Sequence, residues 1–298
     1  MPMTLWRRLG EVTGPDRTPE RNFHLANLLA LHAGVLNSVG FVATATYTSH
    51  MTGITAIVAD NLVLGDYRLV GVGLLAIVGF VAGAASCALV FNWSRRRGLR
   101  SRYSAVLVLE CTLVLLFGLL AEQVTWEHRI WLFIPVLCYT MGLQNAIVTK
   151  ASDAQIRTTH VTGMVTDIGI EIGKLIYRES RDDLEPVVAN TQRLRHHLAI
   201  VGLFFGGGVL GAFGYVTIGF YALIPAAMWL LFIALPPLIA DFRDWPAPPK
   251  GSLTSGADGV EAADAASPIG RRAVRPRPHA RGEGSGGRRR SGARRRES

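Results

Sequence analysis

Charge is scarce in this chain. Charged residues make up 18% of the 298 positions, below the quarter or so usual for soluble domains, and several long stretches hold almost none. An ordinary water-soluble domain is therefore excluded. Lysine is nearly missing, at three of the 31 basic residues, a skew to which no function is attached. The cysteines are Cys87, Cys111 and Cys138, each inside an apolar stretch, so they read as small apolar side chains and exclude a disulfide framework. No His-Glu-x-x-His spacing and no nucleophile elbow occurs, so nothing assigns a reaction: the expectation is no enzyme, no catalytic residue, no metal and no cofactor. A cleavable signal is not evident either, because more than twenty polar and charged residues precede the first apolar stretch, which then serves as the targeting signal.

What the chain does have is hydrophobicity, at 49% of residues. Crossing a bilayer takes about 20 mostly apolar residues, and six stretches approach that length, near 25–45, 69–92, 104–121, 130–149, 197–215 and 218–240. The last two share one apolar run from Leu198 to Ala240, and a turn near Gly214–Thr217 would fold it in two. Arginine clusters set the orientation, because cytoplasmic loops collect basic residues. Arg7, Arg8, Arg17 and Arg21 precede span one, Arg95, Arg96, Arg97, Arg100 and Arg102 fill the link after span two, and residues 150–196 carry seven more basic residues. Six spans with both termini inside place every cluster on the cytoplasmic face. Ile54–Leu64 and Val161–Tyr177 then read as half-length, re-entrant or surface helices, since counting both as crossings would put the Arg95–Arg102 cluster outside.

A phrase recurs. Gly34-Val35-Leu36-Asn37 is followed by Ser49-His50-Met51-Thr52-Gly53, and Gly142-Leu143-Gln144-Asn145 by Thr159-His160-Val161-Thr162-Gly163. The asparagines stand 108 positions apart and the histidines 110. The copies begin on spans one and four, so each half holds three crossings, and an odd number inverts one half relative to the other. Secondary transporters use such inverted repeats, with broken helices whose N-termini present unpaired N–H groups to a buried site. Here Ser49 or Thr52, and Thr159 or Thr162, can cap such a start; Gly53 and Gly163 permit close approach; His50 and His160 add groups that can gain a proton near neutral pH. Asn37 and Asn145 can bridge backbone groups freed at the breaks. A Thr-Gly beside a histidine is also the pattern of an ordinary cap at a span end, and it is the paired recurrence that favours a shared site.

Glu110 lies in the otherwise apolar run Val106–Leu120, where an acid costs about 3 kcal/mol on insertion scales unless protonated, paired or wetted. It is a candidate proton-coupling site; the competing role is a protonated carboxyl hydrogen-bonded across the bundle. Asp167, Glu171, Lys174 and Arg178 form a charged stripe opposite Ile168, Ile172, Leu175 and Ile176, the pattern of an amphipathic helix on the cytoplasmic surface. Arg157, just before its start, could meet a carboxylate or phosphate, or be a solvated cytoplasmic charge. Gly206, Gly207, Gly208, Gly211 and Gly214, with Gly79 and Gly83, read as close helix packing. Residues 245–298, rich in Pro, Gly, Ala, Ser and Arg, lack the apolar side chains for a core and read as a disordered tail. Its Arg288–Arg290 and Arg294–Arg296 clusters suit anionic lipid or a solvated role; no aromatic side chain is interleaved to stack on bases, which argues against nucleic acid.

Taken together, these phrases resemble the YoaK-like family of bacterial membrane proteins, over about residues 20–240. In that family the first phrase continues with Asn after the Gly and the second reads Thr-Gly-Thr; here Ile54 and Met164 stand instead. The resemblance implies a multi-pass membrane protein and, the family being of unknown function, no substrate. The expected architecture is all-α: an N-terminal segment at 1–22, a first three-helix repeat at 23–124, a second at 125–240, and the basic tail at 241–298. The expected function is a small-solute transporter or permease, with His50, Thr52, Gly53, His160, Thr162 and Gly163 at a midplane site, Asn37 and Asn145 bracing it, and Glu110 as proton acceptor. The alternative is a membrane scaffold using the tail. Solute, coupling ion, direction and homo-oligomerisation are left open.

Overall fold

The computed structural model describes residues 10–14, 18–151, 159–177 and 187–244, and all regular structure among them is helical. Arg7, Arg8, Arg17, Arg157, Arg178 and the tail from residue 245 lie outside the described residues.

Helix α1 (Pro19–Thr44) starts as its sequence dictates: Thr18 Oγ1 accepts the Arg21 N–H, Pro19 supplies a pre-set φ, and Glu20 sits in the first turn beside the positive helix end. Its 26 residues reach about 39 Å, enough to cross a hydrocarbon core of about 30 Å. Helix α2 (Met51–Leu64) has 14 residues, about 21 Å, and is too short to cross. Gly65, at φ 79°, ends it, and Asp66 then caps α3 (Tyr67–Arg96) by accepting from Arg68 N and Leu69 N. Helix α4 (Arg102–Leu120) runs into a 3-10 turn at Ala121–Gln123, and α5 (Trp126–Ala151) carries Pro135 internally. Helix α6 (Val161–Ile176) is again short, at 16 residues. Asn190 caps α7 (Thr191–Ile218), and α8 (Leu223–Asp244) follows a second 3-10 turn, Gly219–Ala222.

Among the described residues, five helical stretches are long and apolar enough to cross a membrane: α1, α3, α4 with its following turn, most of α5, and the 53 residues of Thr191–Arg243 that contain both α7 and α8. The break in the last falls at Gly219 rather than at the expected Gly214–Thr217. Thr217 Oγ1 donates to the Phe213 and Gly214 carbonyls within the last turn of α7, Ile218 leaves helical geometry at φ −133°, and Gly219 completes the break at a positive φ of 62°.

The long helices pack chiefly in three pairs, α1 on α7, α3 on α5 and α4 on α8. Glycine brings the first two pairs into backbone contact. A methyl group added to Gly207 would overlap the Leu31 carbonyl and one on Gly211 the Val35 carbonyl, so four residues along α1 match four along α7 and the helices run parallel. Gly79 on Pro135 and Gly83 on Tyr139 give α3 and α5 the same parallel sense. The expected close-packing role thus holds for these four glycines; Gly206 has nothing within 4 Å of a built methyl. The third pair is antiparallel. The Asp241 carboxylate near the end of α8 accepts from Arg100 N (3.0 Å) and Ser101 N (2.8 Å) before α4, and Glu122 after α4 accepts from Phe220 N (3.0 Å) before α8.

Outward faces are apolar: Val63, Phe205 and Val216 are 86%, 72% and 75% exposed. Such a belt suits lipid rather than water.

Candidate functional site

The two recurrent phrases fold alike. Asn37, buried on α1, accepts at Oδ1 from both the N–H (3.1 Å) and the hydroxyl (2.9 Å) of Ser49. Asn145, on α5, accepts at Oδ1 from the Thr159 hydroxyl (2.6 Å), while its Nδ2 donates to the Met141 carbonyl (2.8 Å). Each asparagine therefore ties the chain just before a short helix back to the long helix it came from. Ser49 and Thr159 stand one residue before the caps and point their hydroxyls at these asparagines. The N-caps are His50 and His160, and neither makes a side-chain capping bond.

What the histidines do is cover the helix start. A methyl on Gly53 would overlap the His50 ring, and one on Gly163 the His160 ring, so each imidazole lies over the first turn of its own helix in the space its glycine leaves. His50 and His160 are exposed, as are Thr52 and Thr162; Ile54 and Met164, one residue past each glycine, are buried. Helix α2 packs mainly on α3 and α6 on α7. No hydrogen bond or ring contact among the described residues joins one imidazole to the other.

The polar groups brought together in the core are different ones. Glu110 of α4, His32 of α1 and Gln144 of α5 are each at most 1% exposed. Gln144 Nε2 lies 3.1 Å from the Leu29 carbonyl and 3.0 Å from His32 Nδ1, and Glu110 Oε1 lies 3.4 Å from the same Nδ1. His32 Nε2, both Glu110 oxygens and Gln144 Oε1 have no hydrogen-bond partner. A buried polar atom left unpaired costs about 1–3 kcal/mol, so a cluster with four is not explained by packing. Sequence reading singled out Glu110 but missed His32 and Gln144. The rule that flagged the acid applies equally to His32, an ionisable group inside an apolar span.

Helix α6 is held to α7 by ions. Arg193 Nη2 lies 2.9 Å from Asp167 Oδ2, and Glu171 accepts from Lys174 Nζ (3.0 Å) and Asn190 N (2.6 Å). Glu171 is buried, not part of a solvated stripe. The Lys174 ammonium first, and the Asn190 N–H next, hold its carboxyl below the ordinary glutamate value.

These apolar helices, too long and too exposed for a water-soluble bundle, define a multi-pass helical membrane protein. The chain belongs to the family described as "Protein of unknown function (DUF1275)", whose model matches residues 25–235, and the YoaK-like resemblance agrees with that membership. No curated protein and no solved structure matches the chain.

Proposed function

We propose that the protein is a small-solute transporter or permease of six crossings, built from two inverted three-helix halves, α1 to α4 and α5 to α8. The observation that carries this reading is a set of contacts that occur twice. Asn37–Ser49 has its counterpart in Asn145–Thr159, 108 and 110 residues on. Ser101–Asp241 has its counterpart in Phe220–Glu122, with 119 residues between Ser101 and Phe220 and 119 between Glu122 and Asp241. Exchange of the halves converts the parallel pair α1–α7 into α5–α3 and leaves α4–α8 as its own partner. Inversion suits transport by alternating access, because each half can then do on one face what the other does on the opposite face.

In this reading the solute path passes the equivalent helix starts, lined by His50, Thr52 and Gly53 in one half and His160, Thr162 and Gly163 in the other, with Asn37 and Asn145 setting the loops. Glu110 is the proton-coupling group. The protein then sits in the bacterial plasma membrane with both termini cytoplasmic. Uptake and proton flux in reconstituted vesicles test this, comparing the intact chain with a His50→Ala, His160→Ala double variant over a broad panel of small solutes. Flux that the double variant loses supports the proposal; equal flux in both, or none with any solute, overturns it.

A further inference from the structure

The core cluster lies where α1 meets α5, the leading helices of the two proposed halves, and its hydrogen-bond roles are set by geometry. The Leu29 carbonyl can only accept, so the Gln144 amide must direct its nitrogen there, and the second amide hydrogen then faces His32 Nδ1. Nδ1 accordingly accepts, and the ring hydrogen of a neutral His32 is on Nε2. Glu110 Oε1 lies 3.4 Å from that same lone pair. A protonated carboxyl is attracted to it; a carboxylate is repelled.

We propose that His32, Glu110 and Gln144 form a one-proton latch between the two halves, closed while Glu110 holds its proton and open when it does not. Opening at raised pH breaks the Glu110 O–H bond, the proton passing to water, and the neutral His32 ring meets the resulting carboxylate by giving up its Nε2 hydrogen and taking one on Nδ1. A hydrogen now points at the Gln144 N–H, two donors confront each other, and the amide must turn away from His32. The tie between α5 and α1 is thereby loosened at a position that is buried in the closed state. Among titratable neighbours, Cys87 of α3 and Cys111 of α4 interact electrostatically with Glu110, and Lys150 of α5 with Cys87. Cys111 Sγ donates to the Ala227 carbonyl of α8, and no charged side chain of α7 or α8 is paired with the cluster among the described residues. Glu110 and His32 are therefore left as the pair that decides where the proton sits.

The inference rests on the reading of α1 and α5 as equivalent helices of two halves, but its test needs no solute. Full-length protein in phospholipid nanodiscs, with carboxyl-labelled glutamate, is titrated from acid to alkaline pH and followed by infrared spectroscopy and by amide hydrogen exchange. The expected result is a label-sensitive protonated-carboxyl band whose loss coincides with an increase of about tenfold in exchange, corrected for its intrinsic pH dependence, at residues 28–36 and 140–148, the worth of about one hydrogen bond. Glu110→Gln should lack the band and stay protected throughout. Gln144→Leu should keep the band and show raised exchange at every pH, which serves if Glu110→Gln does not fold. A band absent at all pH values, a band lost with no change in exchange, or the same pH-dependent exchange in Glu110→Gln overturns the latch. Absence of solute flux would overturn only the transport reading.

Discussion

Asn37 illustrates how much of this protein depends on single polar side chains in apolar surroundings. It accepts two hydrogen bonds from Ser49, so Asn37→Ala leaves a half-buried N–H and hydroxyl unpaired and should cost about 1–3 kcal/mol. Asn145→Ala loses the single Thr159 bond as acceptor and should cost about 1 kcal/mol. Thermal unfolding in detergent reads both, and the order Asn37 above Asn145 is the part that discriminates. Glu171 gives a pH-dependent counterpart. Its folded-state pKa is depressed, so its contribution to docking α6 on α7 is fully present above the ordinary glutamate value and is lost as pH falls through the lowered folded value. Hydrogen exchange across Val161–Ile176 should stay slow through the upper carboxylate range and rise only at lower pH, and Glu171→Gln should abolish that step. Glu110 stood out in the sequence because an acid in an apolar run must be protonated, paired or wetted. Its partners did not: a histidine is compatible with lipid interface, helix packing or function, and Gln144 was visible only as part of a repeated phrase. Which of several polar residues on different helices meet is decided by helix rotation and crossing, which spacing along one helix does not report.

At the scale of elements, hydropathy located every long helix to within about six residues, because the bilayer thickness sets a minimum apolar length. Ends were less legible. The cap position at each short helix is a histidine, one residue past Ser49 and Thr159, whose hydroxyls donate to Asn37 and Asn145. Gly79, Gly83, Gly207 and Gly211 pack as expected and Gly206 does not, because which glycines matter follows only from the crossings. Gly83 has the Tyr139 carbonyl where a methyl would go, whereas Gly173 on α6 has nothing within 4 Å. Gly83→Ala should therefore force α3 and α5 apart and cost about 1–3 kcal/mol. Gly173→Ala removes backbone freedom without a clash and should gain about 0.5–1 kcal/mol. Opposite signs in a thermal unfolding assay check the pair.

For the whole molecule the decisive quantity is the side of the membrane on which each turn lies. The α4–α8 pair is antiparallel, closed at one end by Asp241 against Arg100 and Ser101 and at the other by Glu122 against Phe220. If those ends are opposite faces of the bilayer, a membrane-impermeant thiol reagent separates them. Cys87, Cys111 and Cys138 are buried and should react little, so added cysteines report cleanly. Arg96→Cys and Phe242→Cys lie near the first end, and Gln123→Cys and Tyr221→Cys near the second, all at exposed positions. In intact cells the second pair should be labelled and the first protected; in inside-out vesicles the pattern should reverse. That expectation follows the proposed orientation, in which the positive-inside bias keeps Arg95, Arg96 and Arg97 on the inner face. Labelling of all four from one side would mean that α4 and α8 do not cross, and would remove the geometry by which one half can close while its inverted partner opens.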